Sequence, residues 1–96
     1  VGRTGTLYVA EYGNHRIQRF TGNGKFTGWI GKALNASDHL SDTGPVWRET
    51  GTPTLGRAPG EFKNPYHLDV ADNRLLVADT ENGRVQEIVF ANTSAL

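Results

Sequence analysis

Cysteine is absent from the 96 residues, and with it go disulfides, thiolate metal sites and cysteine nucleophiles. That absence leaves the compartment open, an extracellular or periplasmic setting being the favoured expectation. Net charge is missing too, because ten basic and ten acidic side chains cancel. A zero balance counts against generic nucleic-acid binding, which draws on a basic excess, and against electrostatic docking to a membrane. No apolar run approaches the roughly 18 residues that a membrane helix needs. No basic-then-apolar stretch at the N-terminus reads as a secretion signal. Helical periodicity is almost nowhere. Nucleophile elbow and HExxH motifs are lacking. Residues 2–6, GRTGT, have the glycines of a phosphate loop but neither its Lys-Ser/Thr ending nor a following helix.

What is present is short, alternating and broken by turn residues. Apolar residues make up 36% and charged residues 21%, with twelve glycines, the composition of a loop-rich globular chain. A chain this short buries a modest share of its surface, so its core is small. Alternation bounded by Gly, Asn and Pro predicts β-hairpins. Residues 6–11, TLYVAE, read as a strand, and 12–15 as a turn. Residues 16–20, RIQRF, are the next strand, and 25–30, KFTGWI, a third, antiparallel to it. Asn23-Gly24 between them favours a type I′ turn, since both residues tolerate positive φ. Residues 32–59 carry Pro45, Pro53 and Pro59 among Ser, Thr, Asp and Gly, and are expected to be a long loop with a short helical turn at 36–40. Strands return at 66–71, 74–79 and 84–90, with turns at Asp72-Asn73 and 80–83. Residues 91–96 read as a short strand or a frayed end.

The two halves say nearly the same thing. Residues 6–20 lie over 74–88 at a constant spacing of 68 positions. Leu7 meets Leu75, Val9 meets Val77, Ala10 meets Ala78, Asn14 meets Asn82, Arg16 meets Arg84 and Gln18 meets Gln86. Glu11 with Asp79, and Ile17 with Val85, are conservative swaps. Repetition at this scale belongs to architectures in which each unit buries its apolar faces against copies of itself.

At these residues the chain resembles the NHL repeat. Gly60, Phe62 and Pro65 stand ahead of one strand, Val77-Ala78-Asp79 lie within the next, and Asn82 with Arg84 opens the third; Asn14-His15-Arg16-Ile17 carries the same signature in the first half. The resemblance implies an all-β fold: a partial propeller of antiparallel blades, strands two to four of one and one to three of the next. It divides the chain into a partial blade at 1–31, an inter-blade insertion at 32–59 and a second partial blade at 60–96. Six strands leave sheets incomplete. Either the chain is a piece of a longer protein, which is the favoured expectation, or other chains complete the sheets as an oligomer. Val1, in place of a methionine, points the same way.

Several side chains invite a chemical reading. Glu11, Asn14 and Arg16 recur as Asp79, Asn82 and Arg84. Catalysis or anion binding is one reading of this set; the stronger one is structural, since a strand-end carboxylate can accept backbone N–H groups and an Arg fork can satisfy it or nearby carbonyls. In zinc-holding members of the family, the resemblance implies histidines directly after the proline that opens an innermost strand. Here Tyr66 takes that position and His67 follows it, which turns the side chain to the opposite face. Asp69, two residues on, and Asp72 are the carboxylates a channel Ca²⁺ could use, yet Ca²⁺ wants six to eight oxygens. No cofactor is therefore expected, a Ca²⁺ or Zn²⁺ in a central channel at His67 and Asp69 being the reading left open. His15 and His39 do not complete a metal set. Trp47, Arg48 and Glu49 sit inside the insertion, and Trp and Arg are residue types enriched where proteins bind one another. Trp47 can equally anchor the insertion to the blade. Asn35-Ala36-Ser37 and Asn92-Thr93-Ser94 match the glycosylation pattern, and their use stays open.

The expected function is thus a protein-binding or structural scaffold, completed by a protein partner or by further blades. Part of a metal-dependent propeller lyase or hydrolase is the alternative. An RNA-binding propeller comes third, with zero net charge against it and a steep salt dependence as its mark.

Overall fold

The computed structural model describes residues 5–34, 40, 41, 44, 45, 47–57, 59–71 and 74–89. The helical turn expected at 36–40 lies mostly outside these residues. Asp72-Asn73, the tail at 91–96, His39 and both glycosylation motifs lie wholly outside them.

The first sheet is built from β1 (Leu7–Glu11), β2 (Arg16–Phe20), β3 (Phe26–Ala33) and β6 (Pro53–Thr54), all antiparallel, in the order β1-β2-β3-β6. The second is β7 (His67–Ala71), β8 (Arg74–Asp79) and β9 (Arg84–Val89), in that order. A short ribbon pairs β4 (Leu40–Ser41) with β5 (Gly44–Pro45). Among the described residues the helical content is one 3₁₀ turn, Thr80–Asn82, closed by Gly83 at φ 64°. The all-β partial propeller with antiparallel blades is therefore what the chain forms.

Two local expectations are corrected. Asn23-Gly24 is not a type I′ turn: Gly24 takes positive φ (88°) and Asn23 does not. The hairpin is longer than two residues, with Thr21 N donating to Lys25 O at 2.8 Å and Gly24 N to Thr21 O at 2.9 Å. A glycine in the left-handed region closes such longer turns by admitting an extra residue, and the register of β2 on β3 shifts between Arg19 and Phe20 accordingly. Nor is 32–59 a loop throughout. β3 runs on to Ala33, and the insertion returns along its free edge. Trp29 N and Arg48 N each donate to the other's carbonyl at 2.8 Å, Leu34 N donates to Thr52 O at 2.8 Å, and Lys32 pairs with Thr54. Leaving that edge bare would strand a row of backbone donors and acceptors.

Pairing across the strands sets the faces. Ala10, Ile17 and Ile30 share one face of the first sheet. Leu75 with Ile88, and Val77 with Leu68, share one face of the second. These two faces meet, with Phe62 between them. Ile17, Ile30, Phe62, Leu75 and Val77 are wholly buried. Each such burial is worth roughly 1.5–3 kcal/mol, so this seam holds the two blades together.

Candidate functional site

Asp79 ends β8 with no exposed surface. A buried carboxylate demands partners, and the turn and strand that follow supply them. Asn82 Nδ2 donates to Asp79 Oδ2 at 2.9 Å, Arg84 Nε to the same oxygen at 2.9 Å, and Gln86 Nε2 at 3.1 Å. The other oxygen, Oδ1, accepts from the Lys63 backbone N–H at 2.7 Å. The donors continue outward. Asn82 Nδ2 reaches Gly56 O at 2.7 Å; Arg84 Nη2 and Gln86 Nε2 reach Glu61 O at 3.1 and 2.6 Å; Gln86 Oε1 accepts from Gly60 N at 3.0 Å. The set is a latch that seizes the backbone of 56–63 and presses Phe62 into the core.

The same letters 68 positions earlier are arranged differently. Arg16 forks onto Glu11, Nε to Oε2 at 2.8 Å and Nη2 to Oε1 at 3.1 Å, and Asn14 and Gln18 also donate to this carboxylate. Among the described residues, these side-chain bonds stay inside the set. The Arg16 hydrogen bond, aided by Asn14, Gln18 and the guanidinium charge, outweighs burial and holds Glu11 below the usual carboxylate range. The glutamines were visible in the alignment, but only the folded chain shows that they belong to the clusters. Their identical spacing from the carboxylate was the available signal.

The turn between β1 and β2 joins the two blades. Asn64 N donates to His15 Nδ1 at 2.9 Å, and Gly13 N to Asn64 Oδ1 at 2.9 Å. Tyr12 donates to Glu81 Oε2 at 3.0 Å while its ring meets Tyr66 edge-on, centroids 6.0 Å apart. Hydrogen bonds from Asn64 and Tyr12 hold the exposed Glu81 carboxyl low. His15 takes φ 56°, a left-handed conformation that its counterpart Gly83 adopts freely at 64°. The histidine accepts that strain where its ring can receive the Asn64 N–H.

Trp47 lies half-buried against Tyr8, centroids 6.0 Å apart, under Arg19, whose Cζ stands 4.3 Å from the ring. Arg48 is half-buried beside β3, with its guanidinium 5.9 Å from the Trp29 ring, and Glu49 is exposed. Burial pushes the Tyr8 phenol up to about 12, against the opposing charge of Arg19. His67 and Asp69 are exposed on one face of β7. The His67 ring lies 4.5 Å from that of Tyr66, and Asp69 Oδ1 accepts from Val70 N at 3.0 Å. Among the described residues no group of three or more His, Asp or Glu could hold a metal.

Comparison with known proteins bears on this geometry. A family model described as NHL repeat matches residues 1–20. Peptidyl-glycine alpha-amidating monooxygenase B of Xenopus laevis is 35% identical over 86% of this chain and 8% of its own length. The A form from the same organism is 34% identical over 86% of this chain and 7% of its own length. The chain thus spans less than a tenth of the relatives it matches. Those relatives are named as monooxygenases, and O₂ chemistry draws on a metal or flavin cofactor, which corrects the expectation of no cofactor beyond a channel Ca²⁺ or Zn²⁺ at His67 and Asp69. The expectation failed because it weighed only the ligands within these residues, whereas a cofactor requirement belongs to a whole protein.

Proposed function

Because the chain carries NHL repeats, we propose that it works as a scaffold segment of a propeller, stacking on further blades and offering its insertion to a protein partner. One observation carries this reading. Asp79, Asn82, Arg84 and Gln86, the polar residues most suggestive of chemistry, are all engaged in holding the backbone of 56–63. The contact assigned to the partner is Arg48 and the exposed Glu49, on a segment that Trp47 anchors against Tyr8.

A second reading is favoured by the relatives' names: these blades form part of an enzyme that amidates peptidyl-glycine substrates. One experiment separates the two. The polypeptide carrying these repeats is given a glycine-extended peptide, and the amide is followed by mass spectrometry in wild type, Asp79→Asn and Arg84→Gln. The scaffold reading expects any lost product to track lost folded protein. Product lost at an unchanged unfolding temperature would overturn it in favour of the enzyme.

A further inference from the structure

Asparagine followed by glycine occurs twice in the chain, at Asn23-Gly24 and at Asn82-Gly83. The pair is chemically labile. Glycine has no side chain to keep the asparagine carbonyl carbon away from its amide nitrogen, and asparagine is among the thermolabile residues. In backbone the two copies are alike. Each glycine takes positive φ, 88° at Gly24 and 64° at Gly83. Each donates its N–H to the carbonyl three residues back, Gly24 to Thr21 O at 2.9 Å and Gly83 to Thr80 O at 3.1 Å. At neither would a Cβ meet another atom within 4 Å. The glycine nitrogens are thus equally restrained, and the asparagine side chain decides which pair reacts.

Those side chains differ. Asn82 is half-buried, and its amide nitrogen donates to Gly56 O at 2.7 Å and to Asp79 Oδ2 at 2.9 Å. To react it must swing Cγ onto Gly83 N, which breaks both bonds and unfastens the latch. Asn23 is exposed in the β2–β3 hairpin turn, and its side chain has no hydrogen-bond partner among the described residues.

We propose that Asn23 is a site of spontaneous deamidation in the folded chain, and that the latch shields Asn82 from the same reaction. Hydroxide takes the proton of Gly24 N. The nitrogen attacks Asn23 Cγ, the bond from Cγ to Nδ2 breaks, and Nδ2 leaves as ammonia with a proton from water. The product is a succinimide ring. Water opens it at either carbonyl, giving aspartate or isoaspartate and one new negative charge. In the hairpin turn that charge is solvated. At Asn82 it would face Asp79, which has no exposed surface, and like charges in such a site repel strongly. One hydrogen bond broken ahead of attack slows the step roughly tenfold. Asn82 has two to break, so the two sites should differ about a hundredfold in rate.

The test ages the whole chain at mildly alkaline pH and body temperature, once native and once in urea, then cleaves it after Lys and Arg. Asn23 falls in residues 20–25, FTGNGK, and Asn82 in residues 75–84, LLVADTENGR, each with no other asparagine. Mass spectrometry reads the exchange of NH₂ for OH, and synthetic peptides of the two sequences give the intrinsic rates. Relative to those peptides, 20–25 of the native chain should convert about a hundredfold faster than 75–84, and the gap should close in urea. A native gap below about tenfold, the worth of a single hydrogen bond, overturns the proposal. So does native 20–25 that stays unconverted after its free peptide has reacted. A gap that survives in urea overturns it as well, because flanking sequence and not the fold would then set the rates.

Discussion

Asp79→Asn is the sharpest perturbation the fold offers. One carboxylate oxygen accepts from Lys63 N, and the other from Asn82, Arg84 and Gln86. An amide placed either way sets its NH₂ against donors: against the backbone N–H in one orientation, against three side chains in the other. Asp79 has no exposed surface, so water cannot repair the mismatch. Breaking a buried pair of this kind costs about 3–5 kcal/mol. In a domain of this size about 3 kcal/mol lowers Tm by roughly 12–24 °C. Glu11→Gln is the matched control. Its side chain is 20% exposed and, among the described residues, its carboxylate bonds side chains alone, so the cost after screening by water is about 1 kcal/mol. Urea denaturation followed by circular dichroism reads both. Should Asp79→Asn abolish cooperative unfolding, Asn82→Ala probes the same latch at about 1–3 kcal/mol. The reasoning fails if Asp79→Asn costs no more than Glu11→Gln, because the latch would then be decoration.

Three other outcomes follow from the same contacts. Tyr8→Phe should stabilise by about 1 kcal/mol, because the buried hydroxyl finds no hydrogen-bond partner among the described residues; ultraviolet titration should also lose the tyrosine that ionises near 12. Glu11 and Glu81 have depressed folded-state pKa values, so their stabilisation is present above the usual carboxylate range and is lost as pH falls through the depressed values. Glu11→Gln should therefore flatten the fall in urea midpoint between neutral and acid pH, and an unchanged profile would count against the Arg16 fork. Ile17→Ala should cost about 2–5 kcal/mol and Val85→Ala less than about 0.5, although the two sit at equivalent repeat positions, because Ile17 is 0% and Val85 70% exposed. Equal losses would show that the blades do not pack as described.

Much of the chain was legible because period-two alternation is a local property. Arg16–Phe20 and Arg74–Asp79 coincide with the strands read from the pattern, and Gly83 ends the 3₁₀ turn where the chain was expected to turn. The hairpin at Asn23 was misread because two letters cannot show how many residues a turn spans. The edge role of residues 47–54 was hidden as well. Pro, Gly and Thr give little strand signal, and the free edge of β3 recruits that segment through backbone groups whatever its side chains.

The order of letters alone determined that there are two copies of one unit, which strands alternate, and which carboxylate, Asn and Arg recur as a set. It could not determine what each copy touches. Ile17 and Val85 occupy the same place in the repeat, yet Ile17 lies in the buried seam between the blades and Val85 is exposed. Glu11 and Asp79 do too, yet among the described residues only the Asp79 carboxylate accepts from a backbone N–H of another segment. Burial and hydrogen-bond partnership depend on what lies across a gap in space, and a repeat repeats its own chemistry without repeating its surroundings.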